Sequence, residues 1–193
     1  MLRPDIFAAV APVCGAAPKE FLGNIVNVPV WAFHGALDKN VPVAGSREAV
    51  GELRRLGASP QYTEYRDLEH NCWDRAYGTP ELYSWLLQQR RRPPPKVIDY
   101  TFPGGAAQAW WIAAAAEEKN LQPATIHAEI GENGRLSVRT THIAEWAIIS
   151  SGPPISPGDK LEVVWNDRVL ERTTFTGVYS PVEDRKKPKA ASP

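Results

Sequence analysis

The sequence predicts an α/β first half followed by a small all-β second half, and three observations carry that expectation. Apolar runs at 6–13 and 28–33 alternate with a helical pattern and a polar–aromatic strand pattern up to residue 92. That order builds parallel sheets with right-handed crossovers. The stretch Arg90-Arg91-Arg92-Pro93-Pro94-Pro95-Lys96 then breaks the pattern, because consecutive prolines cannot continue a helix and favour a stiff extended spacer. Beyond it, short β-like segments separated by turn signals continue to residue 179, the spacing of a small sandwich.

Taken in order, Ile6 to Val13 is continuously apolar and ends at Cys14-Gly15, as a strand buried on both faces of a parallel sheet would be. Pro18 to Asn27 is turn-rich, a loop with a short helical piece. Val28 to Phe33 is the second strand. A helix follows over 45–57, with Val50, Leu53 and Leu56 on its apolar face and Gly57 as its stop. Gln61 to Arg66 alternates polar and aromatic residues, the pattern of a strand near a sheet edge. Pro80 opens another helix, in which Leu82, Trp85, Leu86 and Gln89 share a face. The arginine triplet reads as a solvated helix end.

In the second half, strands are expected near 97–102, 108–115, 124–130, 135–140, 144–149, 161–165 and 169–175. The alanine run within 110–119 fits a helix equally well. The division is therefore 1–92, a linker at 93–96, a β-rich domain at 97–179 and a disordered tail at 180–193.

The totals exclude several function classes. Of 193 residues, 43% are hydrophobic and 23% charged, ordinary globular values. The 22 basic and 22 acidic residues balance, so there is no electrostatic case for nucleic acid or an anionic membrane as the main partner. No run approaches the ~18 apolar residues of a membrane span. The first residues, Met1-Leu2-Arg3-Pro4, lack the build of a signal peptide, and the compartment stays open. Cys14 and Cys72 are too few for a disulfide framework or a zinc site, and read as two buried or half-buried thiols.

Two stretches carry chemistry. Val30 to Pro42, V-W-A-F-H-G-A-L-D-K-N-V-P, presents Asp38 just past the end of a strand, the edge where open α/β sheets place their sites. Glu69 to Asp74, E-H-N-C-W-D, presents His70 in a loop between a strand and a helix. An acid followed by a histidine, each past a strand end, forms the last two members of a Ser-His-Asp triad in the order such hydrolases use. The acid would fix the tautomer of the histidine, which would act as general base. Asp38 equally reads as a turn aspartate bonding its own backbone, and His70 as a structural or exposed histidine. Asp67 and Glu69 are rival acids, with Asp67 read as a cap or surface charge. His34, His127 and His142 read as structural.

The nucleophile is not found. No G-x-S-x-G elbow occurs, Ser46 begins a helix, and Cys14 and Cys72 are weak stand-ins because a reactive thiol needs a polarised, partly exposed setting.

F-A-A-V-A-P-V-C-G, then P-V-W-A-F-H-G-A-L-D-K-N-V-P-V, then Y-T-E-Y-R-D-L-E-H-N-C-W-D-R-A-Y resemble the C-terminal third of an α/β-hydrolase domain. The branch is that of the dienelactone-hydrolase, phospholipase/carboxylesterase and prolyl-oligopeptidase-like serine hydrolases. The resemblance covers residues 3–92. It implies the C-terminal three-strand portion of that parallel sheet, with Asp38 as triad acid, His70 as triad base, and His34 and Gly35 in a structural turn. A small-molecule ester or peptide is the implied substrate, with no metal or organic cofactor. Residues 97–179 resemble, more loosely, a β-rich domain found after some esterase domains.

In that family the nucleophile elbow and oxyanion hole precede the first strand seen here. The chain thus reads as a piece of a longer hydrolase, inactive alone, of a family often exported in bacteria. The apolar strand at 6–13 would then be an open edge, to be covered by a partner chain or by an N-terminal part. The rival expectation is a non-catalytic module that binds carbohydrate or protein through Trp110, Trp111, Trp146 and Trp165.

Overall fold

Pro12 decides how the first sheet is built. The computed structural model describes residues 3–119, 121–150 and 152–181. Strands β1 (Trp31–Gly35) and β2 (Gln61–Tyr65) pair in parallel, Trp31 opposite Gln61 and Gly35 opposite Tyr65. On the other side of β1 an extended segment, 8–14, runs parallel to it. Val10 N–H donates to Pro29 O (3.0 Å), and Trp31 N–H donates to Val10 O (3.1 Å). Phe33 N–H donates to Pro12 O and Cys14 N–H to Phe33 O, both at 2.9 Å. The donor missing between them is that of Pro12, which has no N–H. Pairing therefore reduces to two bridges, Val10–Val30 and Val13–Phe33.

The continuous strand expected at 6–13 is corrected accordingly. Pro4–Ile6 is a 3-10 turn, Ile6 and Phe7 are exposed, and only Cys14 of residues 8–14 is fully buried. No strand pairs with the outer edge of this segment among the described residues. The strand expected at 28–33 begins later, at Trp31.

Each face of this small sheet has its own core. On one, Val30 packs with Leu22 of the 3-10 helix Lys19–Ile25 and with Leu53 of α1 (Val43–Arg55). On the other, Phe33 packs with Ala76 of α2 (Trp73–Tyr77) and Leu82 of α3 (Pro80–Gln88). Alternation along β1 sends Val30 and Ala32 one way and Trp31 and Phe33 the other. Helix α1 ends at Gly57, whose φ of 88° suits glycine. Gly57 N–H bonds Arg54 O and Ala58 N–H bonds Leu53 O, a Schellman closure. Leu56, expected on the buried face, is 38% exposed because it caps this turn. Helix α2 is additional to the expected elements.

Among the described residues, nine strands form the second half: β3 (Val97–Phe102), β4 (Ala106–Ala109), β5 (Ile112–Ala116), β6 (Ala124–Ile130), β7 (Arg135–Thr141), β8 (Ile143–Ile149), β9 (Lys160–Trp165), β10 (Arg168–Thr174) and β11 (Val178–Tyr179). They make a five-stranded sheet, β10-β9-β7-β6-β3, and a four-stranded sheet, β11-β8-β5-β4. One core serves both, with Phe102, Ile126 and Val163 from the first sheet and Ile112, Trp146 and Ile148 from the second. The segment expected at 108–115 as one strand or a helix is a hairpin instead. Ala109 pairs with Ile112 across a two-residue turn, and Trp110 takes a left-handed backbone there (φ 51°). Trp111 and Trp146 are core residues, 1% and 2% exposed, and so present no binding face. The tail expected at 180–193 lies, from residue 182 on, outside the described residues.

Hydrogen bonds tie the first half and the linker to the β-rich half. The buried Asn24 amide donates to Thr101 O (2.7 Å) and accepts from Thr101 N–H (2.8 Å), so it pairs with the edge strand β3 as a peptide group would. Trp111 Nε1–H donates to Pro95 O (2.7 Å), which ties the proline linker to the β-rich half.

Candidate active site

The end of β1 and the loop after β2 lie directly against each other at Gly35. A Cβ on Gly35 would collide with the carbonyl oxygens of Glu69 and Leu68, so only glycine lets the two chains approach this closely. Ala36 N–H donates to Tyr65 O (2.8 Å) and Leu37 N–H to Leu68 O (2.9 Å). Asp38 follows, its own N–H turned back to Gly35 O (3.2 Å).

The carboxylate of Asp38 divides its two oxygens between structure and site. Oδ1 accepts from the backbone N–H groups of Asn40 and Val41, both at 2.9 Å. Oδ2 faces His70 Nδ1 at 2.8 Å. The turn role and the histidine-facing role, alternatives in the sequence, are thus held by different atoms of one side chain. Burial of the fully enclosed carboxylate opposes ionisation, but the His70 hydrogen bond and the two backbone donors outweigh it and hold Asp38 at about 2.

His70 sits between β2 and α2, its ring edge-on to Trp73 at 5.6 Å. An ionised Asp38 can only accept, so Nδ1 carries the proton toward it. The lone pair is then on Nε2. The side chain is 32% exposed, and Nε2 has no hydrogen-bond partner among the described residues. Such a ring is oriented at one nitrogen and unpartnered at the other, an arrangement able to accept a proton at Nε2.

His34, read from the sequence as part of a structural turn, holds Asp38 from behind. It is completely buried, with Nε2 3.1 Å from Asp38 Oδ2 and 3.0 Å from Val41 O. Both are acceptors, so Nε2 carries a proton. Nδ1 meets Ser46 Oγ at 2.7 Å, and Ser46 Oγ lies 3.0 Å from Gly15 O. Ser46 thereby connects the first turn of α1 to the end of segment 8–14. One sign of this is legible in the chain: His34 and Asp38 stand four apart across a glycine turn.

The rival acids are elsewhere. Asp67 pairs with Arg75 at 2.8 and 2.9 Å, and Glu69 with Lys39 at 3.3 Å. His127 bonds Asp99 and His142 bonds Pro123 O, both in the β-rich half. Ser46 is committed to His34, and no hydroxyl group hydrogen-bonds His70 among the described residues. Cys14 and Cys72 are both buried with their sulfurs 2.7 Å apart. Burial, with the Cys14 contact added, pushes the Cys72 thiol up to about 12, and Cys14 is buried as well, without the exposed setting that a nucleophilic thiolate needs. Ligand atoms of Cys14, His34 and Asp38 lie within 4.8 Å of one another and are buried. Among the described residues they form the group that could contact a metal ion, although His34 and Asp38 already bond each other.

No family model matches the chain, and no curated protein matches it. Solved structures do. The chain is similar to a thermostable esterase at 34% identity and a TM-score of 0.42, over 45% of this chain and 25% of that one. It is similar to esterase PE8 at 22% identity and a TM-score of 0.36, over 45% of this chain and 41% of that one. It is also similar to Arabidopsis thaliana SOBER1 at 21% identity and a TM-score of 0.37, over 45% and 43%. The likeness is partial on both sides. The chain spans less than half the length of each of these proteins.

Proposed function

We propose that Asp38 and His70 are the acid and base of a Ser-His-Asp hydrolytic triad acting on carboxylic esters or peptides. The observation that carries this reading is the 2.8 Å contact between the buried Asp38 Oδ2 and His70 Nδ1, the other ring nitrogen having no hydrogen-bond partner among the described residues. Asp38 fixes the tautomer, and His70 Nε2 takes the proton of a serine hydroxyl as that oxygen attacks the substrate carbonyl. The imidazolium then returns the proton to the leaving group, and water hydrolyses the acyl-enzyme by the same route. That serine and its oxyanion-binding N–H groups are not supplied by the sequence motifs of this chain. Residues 1–92 are read as part of an α/β-hydrolase domain joined by a proline linker to a sandwich-like accessory domain at 97–179.

The test is turnover of p-nitrophenyl acetate by the 193-residue chain beside its His70→Ala variant. The reading expects no rate above the variant and no labelling by a fluorophosphonate probe. His70-dependent hydrolysis with a labelled residue in this chain would overturn the statement that the nucleophile lies outside it. A His70 ring whose Nδ1 proton is missing by nitrogen NMR would overturn the triad assignment itself.

A further inference from the structure

Cys14 and Cys72 are separated by 58 positions in the chain, yet their sulfurs are in contact at 2.7 Å with both residues buried. Each closes a functional element. Cys14 ends segment 8–14, its N–H fixed on Phe33 O at 2.9 Å. Cys72 ends the His70 loop, its N–H fixed on His70 O at 2.9 Å, and its carbonyl accepts the first bond of α2 from Ala76. We propose that the two thiols form a disulfide that pins the His70 loop to the end of segment 8–14. The inference stands apart from the hydrolase reading, because it needs only this contact.

The chemistry is a two-electron oxidation by a low-molecular-weight disulfide such as glutathione disulfide. One cysteine thiolate attacks it, forming a mixed disulfide and releasing one small thiol. The second cysteine loses its proton and attacks the mixed disulfide, forming the Cys14–Cys72 bond and releasing the other small thiol. In the folded chain the burial that raises the Cys72 thiol keeps thiolate scarce at neutral pH. The bond therefore forms while the chain folds and is afterwards shielded from reductant.

A zinc ion is the competing occupant, since Cys14, His34 and Asp38 are close together. Two thiolates on a tetrahedral zinc stand about 3.7 Å apart, from Zn–S bonds of about 2.3 Å. The sulfurs here are closer than that, at 2.7 Å, and both ring nitrogens of His34 are already engaged, Nδ1 with Ser46 Oγ and Nε2 with Asp38 Oδ2 and Val41 O.

The test refolds the full chain from reducing guanidinium into glutathione disulfide, then unfolds it again in concentrated guanidinium and treats it with iodoacetamide. The disulfide predicts no alkylation before reduction, two adducts after it, and a tryptic cross-link joining the Cys14 peptide to Asp67–Arg75. Chain refolded with a reductant instead should have a thermal midpoint lower by roughly 10 °C, from the size of the closed loop and of the chain. The Cys14→Ser, Cys72→Ser double variant should be insensitive to reductant. Two alkylated thiols per chain after oxidation would overturn the proposal, as would stoichiometric zinc released from reduced thiols or cross-links found only between chains.

Discussion

Gly35 lies so close beneath the Glu69 carbonyl that a side-chain carbon between them would overlap the oxygen, and the Leu68 carbonyl as well. This backbone contact sets the separation of Asp38, three residues after Gly35, from His70, one residue after Glu69. Gly35→Ala must push the loop away or distort the strand end. Overpacking of this kind costs about 1–3 kcal/mol. Urea unfolding should show that loss, with the downfield His70 Nδ1 proton broadened or lost. An alanine variant as stable as the parent would mean that the loop moves freely.

Asp38 gives a pH signature. Its carboxyl lies at about 2 in the fold against an ordinary 3.8. A lowered folded value contributes stability above the unfolded value and loses it as pH falls through the folded one. The contribution is therefore complete near neutrality and lost between about pH 5 and pH 2. It amounts to about 2 kcal/mol, since each unit corresponds to about 1.4. Asp38→Asn should remove this dependence, so the stability difference between parent and variant narrows as pH falls across that window. A difference constant from pH 6 to pH 2 would contradict the ionised, hydrogen-bonded carboxylate.

Ser46 bears on the same carboxylate through His34. Ser46→Ala strips His34 Nδ1 of its 2.7 Å partner and Gly15 O of its 3.0 Å contact, leaving a buried ring nitrogen unsatisfied. Such losses cost about 1–3 kcal/mol. Ser46→Thr keeps the hydroxyl and should recover part of that loss. Equal unfolding midpoints for parent and alanine variant would show that the hydroxyl carries nothing.

The legible parts of the fold were those set by local pattern. Strand β2, helix α3, and strands β3 and β6 followed from periodicity and turn residues, and Asp38 and His70 from their positions past strand ends. The missed parts depend on contacts no local pattern records. Pro12 sits in an apolar run that reads as a strand, but its missing donor divides the pairing. Trp110, hardly a turn residue, takes the positive φ that folds 106–116 into a hairpin. His34 and Ser46 meet only because α1 folds back over the strand end, which brings a helix residue to a buried imidazole. Asn24 lay in a turn-rich loop with nothing to mark it as a bridge between halves.

That bridge yields the last prediction. Asn24 is 1% exposed and satisfies both backbone groups of Thr101 on edge strand β3. Asn24→Ala leaves an N–H and a C=O without those partners at about 1–3 kcal/mol, and uncovers the sheet edge. Hydrogen exchange at the Thr101 amide should accelerate to match. Asn24→Asp separates the two bonds: one carboxylate oxygen can still accept from Thr101 N–H, while the other faces Thr101 O. It should keep much of the amide protection yet lose stability, an uncoupling that simple truncation does not produce. Unchanged Thr101 exchange in the alanine variant would show that β3 is held without Asn24.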